Sequence, residues 1–249
     1  MNPAVQVTDL RYNYPDGKEA LRGITFSISH GECVGLVGPN GSGKSTLLLH
    51  LNGILPDPLD GSPAILINGK NITKKNVSEI RREVGLLFQD PDDQLFCPTV
   101  FEDVAFGPRQ LGLTDNEIRA CVKRSLAQTE LLGSENRFPY HLSSGEKRRV
   151  CLAGVLACEP QVLALDEPTS NLDPRGKRNL HNILKSLPVT KIIATHDLEM
   201  VVELCNRTII LDEGIIIADG PTIDLLGNEE LMLQHGLEKP HILRHRHPH

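Results

Sequence analysis

GECVGLVGPNGSGKST, residues 31–46, is the stretch whose reading decides the fold. Its first half is short and apolar, so 33–37 reads as a buried β-strand. Its second half, GPNGSGKS at 38–45, matches the phosphate-binding pattern G-x-x-x-x-G-K-[ST] at every fixed position. From Ser45 the pattern STLLLHLN, 45–52, reads as a helix stopped by Gly53 and Pro56. Strand, glycine loop and helix in that order build a cradle for phosphate. Gly38, Gly41 and Gly43 let the backbone turn N–H groups inward. The helix start adds unpaired N–H groups aimed at the same anion. Lys44 supplies a point charge between the β- and γ-phosphates, and the Ser45 hydroxyl can ligate Mg²⁺. Asn40, Ser42 and Thr46 count with the loop as binding positions. A glycine-rich turn carrying a surface lysine is the alternative, and it does not call for a strand before and a helix after.

Working outward, the chain has 249 residues, enough for one large domain or two small ones with a core that needs no staples. It carries 26 basic and 32 acidic residues, net −6, which argues against a nucleic-acid platform. Aromatic residues are 4% with no Trp, so a base-stacking surface is not expected either. The six cysteines read as buried thiols of a reducing compartment. No apolar run approaches the ~18 residues of a membrane span. The N-terminal MNPAVQVTDLRYNY lacks the apolar stretch of a secretory signal.

Residues 5–10 alternate and read as an edge strand; 21–28 continue a short strand pattern, 57–63 form a turn, and AILING, 64–69, reads as a strand with a hairpin signal. EVGLLFQ, 83–89, reads as a buried strand. Residues 90–98 read as loop, and 99–138 as mostly helical, broken up by Gly107-Pro108 and Gly112. Residues 144–158 form a second helix. Strands return at 161–166, 191–195 and 208–214, with helices at 174–187 and 198–205 between them and short helices at 222–226 and 228–235 after them. Apolar strands alternating with helices imply a mostly parallel sheet covered on both faces.

QVLALDEP, 161–168, supplies the acid that a phosphate loop needs. Four apolar residues carry the chain to the sheet edge, where Asp166 would hold Mg²⁺ directly or through water. Glu167, one residue on, faces the other side of the strand and can orient the attacking water. Two acids in apolar surroundings are costly without a metal or partner.

These residues resemble the ATP-binding subunits of ABC transporters, over about residues 5–225. LSSGE (142–146) matches the family signature, SNLD (170–173) the loop that crosses the dimer interface, and His196 after KIIAT the switch histidine. Gln89 falls where the family has its metal- and water-sensing glutamine, and Tyr14 where an aromatic stacks on adenine. The signature departs from LSGGQ at Ser144 and Glu146, and Asn171 stands where glycine or alanine is frequent. The resemblance implies an α/β fold: a P-loop NTPase core of the ABC ATPase type with an antiparallel β edge and an inserted helical subdomain. The core would comprise 1–89 and 161–225, the helical subdomain about 90–160, short C-terminal helices 226–240, and a histidine-rich tail 241–249. It further implies two subunits closing head to tail around two ATP molecules. Each nucleotide would lie between GPNGSGKS of one chain and Ser143, Gly145, Glu146 and Asp173 of the other. Lys44, Glu167, His196 and Gln89 would carry catalysis, with Ser45, Gln89 and Asp166 at the metal.

FQDPDDQLFCPTVFEDVAFGPRQLGL, 88–113, resembles the energy-coupling-factor type, whose ATPases drive uptake of vitamins or transition-metal ions. That implies a transmembrane coupling subunit touching about 90–113, a substrate-binding membrane subunit, and a place at the cytoplasmic face of the membrane. Asp90, Asp92 and Asp93 would suit arginines on the coupling helix; a merely solvated acidic loop is the alternative. HGLEKP (235–240) near the chain end resembles the cobalt and nickel members. His241, His245, His247 and His249 read either as a flexible metal-binding tail or as a solvated basic one. Cobalt against nickel, and homodimer against heterodimer, stay open. A soluble ABC mechanoenzyme for DNA repair or translation is the rival reading, and it usually has a long coiled-coil insertion or paired ATPase domains in one chain.

Overall fold

The structure is a computed structural model and describes residues 2–56 and 64–244. The turn expected at 57–63 and the tail histidines 245, 247 and 249 lie outside the described residues. In chain order the elements are β1 Val5–Asn13, β2 Glu19–Ile28, β3 Cys33–Val37, α1 Lys44–Leu51, β4 Ile65–Ile67, β5 Lys70–Asn71, α2 Val77–Glu83 and β6 Val84–Leu87. Then come α3 Val100–Gln110, α4 Asp115–Gln128, α5 Ser144–Ala157, β7 Val162–Asp166, α6 Pro174–Ser186 and β8 Thr190–Ala194. The chain closes with α7 Leu198–Leu204, β9 Arg207–Asp212, β10 Ile215–Pro221, α8 Thr222–Gly227, α9 Glu229–Gln234 and α10 His241–Arg244. Among the described residues no helix is long and apolar enough to cross a membrane.

Two sheets form. One is antiparallel, in the order β2-β1-β4-β5. The other runs β10-β9-β3-β8-β7-β6, parallel except for the antiparallel edge strand β10. The parallel strands are apolar throughout because each face meets a separate core. Successive residues divide by the two-residue period of a strand. Leu163, Leu165, Ile193 and Ile210 join the core under the helices from α3 onward. Val162, Ala164, Ile192, Ile209 and Leu211 join the core shared with α1 and the antiparallel sheet. This sandwich holds the C-terminal edge of β3, β7 and β8 in fixed register, and the site is built on that edge.

Gly35, in the middle of β3, marks how closely α7 rides on the sheet. A Cβ there would lie 2.4 Å from Val201 Cγ1. Gly35→Ala is expected to lower stability by about 1–3 kcal/mol through overpacking, measured as a shift in the thermal unfolding midpoint. An unchanged midpoint would show that α7 yields without strain.

α3, α4 and α5, which follow β6 and precede β7 in the chain, pack on one another. α4 opens with a capping box, Thr114 with Glu117, and buries Ile118, Cys121, Val122, Ser125 and Leu126 along one stripe. α3 runs through Gly107-Pro108 instead of breaking there. Pro108 is buried, and Gly107 leaves room for Cys158, whose Sγ would be 2.4 Å from a Cβ at that position. Gly112, at φ +76°, follows the helix end and not its middle. The helical expectation for 99–138 fails over 129–138. That segment folds back so that the carbonyls of Arg137 and Glu135 accept from Val100 and Phe101 N–H, the free donors of the first turn of α3.

Three helices and strands were not expected from the sequence: α2, the edge strand β10, and α10, which takes the first four residues of the tail read as flexible at 241–249 and buries Leu243 in the core. Strand 83–89 ends at Leu87, which leaves Gln89 on the loop beyond it, and strand 208–214 is Arg207–Asp212. In the 90–98 loop, residues 91–93 form a single 3₁₀ turn. Asn68-Gly69, with φ +50° and +79°, makes the two-residue hairpin turn between β4 and β5.

Candidate nucleotide site

The loop after β3 follows the backbone that its glycines permit. Gly38 has φ +157°, and a Cβ there would come within 1.9 Å of the Leu211 carbonyl oxygen. Gly43, at φ +107°, would meet the Ala20 carbonyl oxygen at 2.7 Å. Only glycine passes between these carbonyls. Lys44 is buried, and its Nζ donates to Gly38 O at 2.8 Å and Pro39 O at 2.9 Å. Burial holds its pKa below the ordinary lysine range, against the pull of Glu167 and Asp166. Ser42 Oγ is buried without a partner among the described residues.

One cleft brings together Tyr14, Asn40, Gly41, Gly43, Lys44, Ser45, Thr46, Gln89, Asp166 and Glu167. Asp16 and Lys18 line it as well. The Tyr14 hydroxyl is 2.9 Å from Thr46 Oγ1, and its ring packs edge-on against Tyr12. Those contacts fix the ring as a wall of the cleft.

Asp166 ends β7, and its Oδ1 is buried without a partner among the described residues. Burial raises its pKa, while a hydrogen bond with the Ser45 side chain opposes the rise. An orphaned carboxylate oxygen beside a serine hydroxyl, with Gln89 in the same cleft, is the donor set of a hard divalent cation. Mg²⁺ therefore fits these residues, which would hold it without rearranging the strands.

Glu167 leaves the sheet at once. Its backbone has φ +44°, its N–H still pairs with Ala194 O at 2.8 Å, and its side chain turns toward the turn after β8. Thr195 Oγ1 donates to its Oε2 at 3.0 Å, and the His196 N–H donates to Oε1 at 3.1 Å. His196 Nδ1 lies 2.8 Å from Oε2. Glu167 is only 7% exposed, whereas the His196 side chain is 67% exposed. His196 thus meets the acid but does not line the cleft that holds the glycine loop.

The signature residues form a second cleft, walled by Ser143, Ser144, Gly145, Glu146, Arg149, Asp173 and Arg175. Ser143 caps α5 in a reciprocal capping box with Glu146. Asp173 caps α6 by accepting from Gly176 N–H at 2.7 Å. The two helix starts nearly touch, since a Cβ on Gly145 would be 3.9 Å from Gly176 Cα. Both helix starts line this one cleft. Ser144 is the first residue of α5 and is not among the positive-φ residues, so serine there forfeits no freedom that glycine would use. Asn171 does use it, at φ +60°, a conformation asparagine tolerates better than most.

A third groove lies between the segment after β6 and helices α3 and α5. Phe96 and Phe106 stack edge-to-face across it, with ring centroids 4.9 Å apart and both rings exposed. Beside it, Asp92 pairs with Lys147 at 2.7 Å, and Asp90 accepts from Asp92 N–H. Of the three aspartates expected to face a partner, these two already have partners within the chain.

Sequence reasoning missed Arg148 and Thr195. Arg148 is buried and reaches from α5 to the carbonyls of Phe88 and Gln89, both at 2.5 Å. Its only signal in the sequence was a charge on the apolar side of a helix. Thr195 donates to Glu167 and accepts from Asp197 N–H at 3.0 Å.

The chain resembles known proteins along most of its length. The family model described as ABC transporter matches residues 21–170. An energy-coupling factor transporter ATP-binding protein EcfA of Methanothermobacter thermautotrophicus is 45% identical over 95% of this chain and 76% of its own. The structure of cbiO1 from Clostridium perfringens, part of the ABC transporter complex cbiONQ, superposes with a TM-score of 0.82 at 39% identity, covering 98% of each chain. The dimeric ATP-binding cassette MJ0796, in a post-hydrolysis state with ADP and Pi, superposes with a TM-score of 0.77 at 26% identity, over 88% of this chain and 98% of that one. With the glycine loop, the paired acids and the signature cleft on one α/β core, the chain belongs to the ABC transporter family as an ATP-binding and ATP-hydrolysing subunit of the energy-coupling-factor type.

Proposed function

We propose that two copies of this chain close head to tail around two ATP molecules and energise uptake of a transition-metal ion, cobalt or nickel, through an energy-coupling-factor transporter. The observation that carries the cargo is the likeness to cbiO1 of the cbiONQ complex along nearly the whole of both chains. The separation of the glycine-loop cleft from the signature cleft supports the two-subunit arrangement, since each cleft holds half of the donors a triphosphate needs. The solved dimer of the MJ0796 cassette supports it independently.

In this reading the N–H groups of Asn40 to Thr46 and the Lys44 ammonium bind the β- and γ-phosphates of ATP. Lys44 leaves the loop carbonyls for the phosphate, a stronger acceptor. Ser45, Asp166 and Gln89 hold Mg²⁺, which when bound offsets the charge of the phosphate oxygens. Glu167 takes up the proton of the attacking water, and Thr195 and His196 orient its carboxylate. Ser143 and Gly145 of the opposite subunit meet the γ-phosphoryl from the far side, and Tyr14 packs against the base. Phosphoryl transfer asks chiefly for such positioning and charge stabilisation. The Phe96–Phe106 groove receives the coupling subunit, whose helix is anchored by its apolar side chains. The chain then works as a peripheral protein on the cytoplasmic face of the cell membrane.

The test is purification of the tagged chain from membranes in mild detergent, with mass spectrometry of its companions and radiolabelled cobalt and nickel uptake in a deletion strain. Expected are a transmembrane coupling subunit, a second membrane protein with metal-binding side chains, and uptake that depends on the chain. Vitamin uptake instead of metal uptake would move the cargo to the vitamin group. Cytosolic or nucleic-acid-associated companions alone would overturn the transport reading.

A further inference from the structure

The signature ends in glutamate, and that places a carboxylate at the rim of a cleft assigned to a triphosphate. Glu146 lies on the first turn of α5 and lines the cleft with Ser143 and Gly145. Its two oxygens have different partners. Oε2 accepts from Ser143 N–H and from Ser143 Oγ, both at 2.9 Å. Oε1 accepts from Arg137 Nη1 at 2.6 Å. A neutral glutamine could cap Ser143 through its amide oxygen. A glutamate does the same with a full negative charge, which faces an incoming polyanion unless a cation answers it.

We propose that Arg137 is a positioning residue for ATP-driven closure: by pairing with Glu146 it cancels the charge of the signature carboxylate, so that the opposite subunit's triphosphate meets the Ser143 and Gly145 donors without repulsion. The inference rests on the two-subunit reading given above. Arg137 and Glu146 are both partly exposed, so the pair adds little to stability. Its effect is local, on charge beside the phosphate. The guanidinium also draws the Glu146 carboxyl down to about 2, so it remains ionised at any working pH and never becomes neutral by itself. The other cations of the cleft, Arg149 and Arg175, have no ion pair with Glu146, and Asp173 is engaged at the start of α6. The backbone of Arg137 has a separate task, since its carbonyl accepts from Val100 N–H, and a side-chain substitution leaves that bond in place.

The experiment is ATP titration of dimer formation by light scattering, with the full chain in a Glu167→Gln background that retains ATP. Arg137→Gln is measured with Glu146 and again with Glu146→Gln. With Glu146, the ATP concentration for half-maximal dimerisation is expected to rise about tenfold; with Glu146→Gln, the same change shifts it less than about twofold. Arg137→Lys, which keeps the charge, is expected to stay within about threefold. Arg137→Met serves as the neutral variant should the glutamine variant not fold. Equal shifts in the two backgrounds, in a parent that does dimerise, overturn the charge role of Arg137 alone. A parent that forms no dimer with ATP overturns the two-subunit reading and this inference with it.

Discussion

Glu167→Gln is expected to lower ATP turnover by about 10²–10⁴-fold, the range for loss of a positioned general base, while the protein still binds ATP and accumulates as a dimer. The geometry separates these outcomes. Glu167 is the one cleft residue that meets Thr195 Oγ1, His196 N–H and His196 Nδ1 together. None of those bonds involves the glycine loop or Lys44. An amide of the same shape keeps the acceptor oxygen and loses the charge and the proton-accepting oxygen. It also turns an N–H₂ toward donors, but Thr195 can rotate to accept, so the local fold survives. Steady-state phosphate release gives the turnover, and gel filtration with and without ATP gives the dimer. A turnover loss under about tenfold would fall below what a general base supplies and would remove Glu167 from that role. Loss of ATP binding along with turnover would mean that the variant damaged the cleft itself.

The backbone of Glu167 argues the same way. A non-glycine residue at φ +44° costs of order 1 kcal/mol or more, and such strain persists where the surroundings over-determine it. Here the surroundings are the continued pairing with Ala194 and three hydrogen-bond partners from the residues just after β8. The strain aims the carboxylate into the cleft beside Asp166.

How much of this was legible in the sequence varies with the range of the interaction. The glycine loop was legible because its chemistry is local: 33–46 contains the strand, the turn and the helix start in one run. The paired acids followed, because an apolar strand ending in Asp166-Glu167 has few other readings. The parallel core was legible from its short, continuously apolar strand runs alternating with helical stretches. What escaped depends on distant packing. Gly107-Pro108 looks like a break, yet α3 passes through it, and the glycine answers a packing need, since Cys158 fills the space a Cβ would take. Residues 129–138 were expected to carry the helical pattern on, but Gly133, Ser134 and Asn136 favour turns and two carbonyls of the segment cap α3 instead. β10 follows β9 through a Glu213-Gly214 turn, and its residues IIIADGP, half-buried or exposed, show no clear alternation. Arg148 shows only as a charge on the apolar side of a helix, and nothing in the sequence names its partners or that of Arg137, since each acts on residues that the fold brings near.

Arg148→Ala is expected to lower stability by about 3–5 kcal/mol, a fall of roughly 6–20 °C in the unfolding midpoint for a chain of this size. Two terms set the magnitude. Arg148 is almost wholly buried, and it donates to two part-buried backbone carbonyls, which lose a charged donor on truncation. Hydrogen bonds to a charged donor contribute about 1.5–3 kcal/mol each. Against this stands the relief of a desolvated guanidinium, whose pKa burial already pulls down. Nearby Asp90, Asp166 and Glu167 reduce that relief, because they favour the charge where it is. Truncation to alanine also leaves a cavity under α5. The balance therefore falls on the side of loss. Arg148→Lys separates stability from transmission. An ammonium lacks the rigid planar fork of a guanidinium, so lysine is expected to recover part of the midpoint while Phe88 and Gln89 are held less rigidly. If α5 controls Gln89 through this fork, the lysine variant folds but responds weakly to its membrane partner, with ATP turnover that the partner no longer stimulates. If Arg148 serves stability alone, turnover and stimulation recover together with the midpoint, and the link from signature helix to Gln89 is only structural.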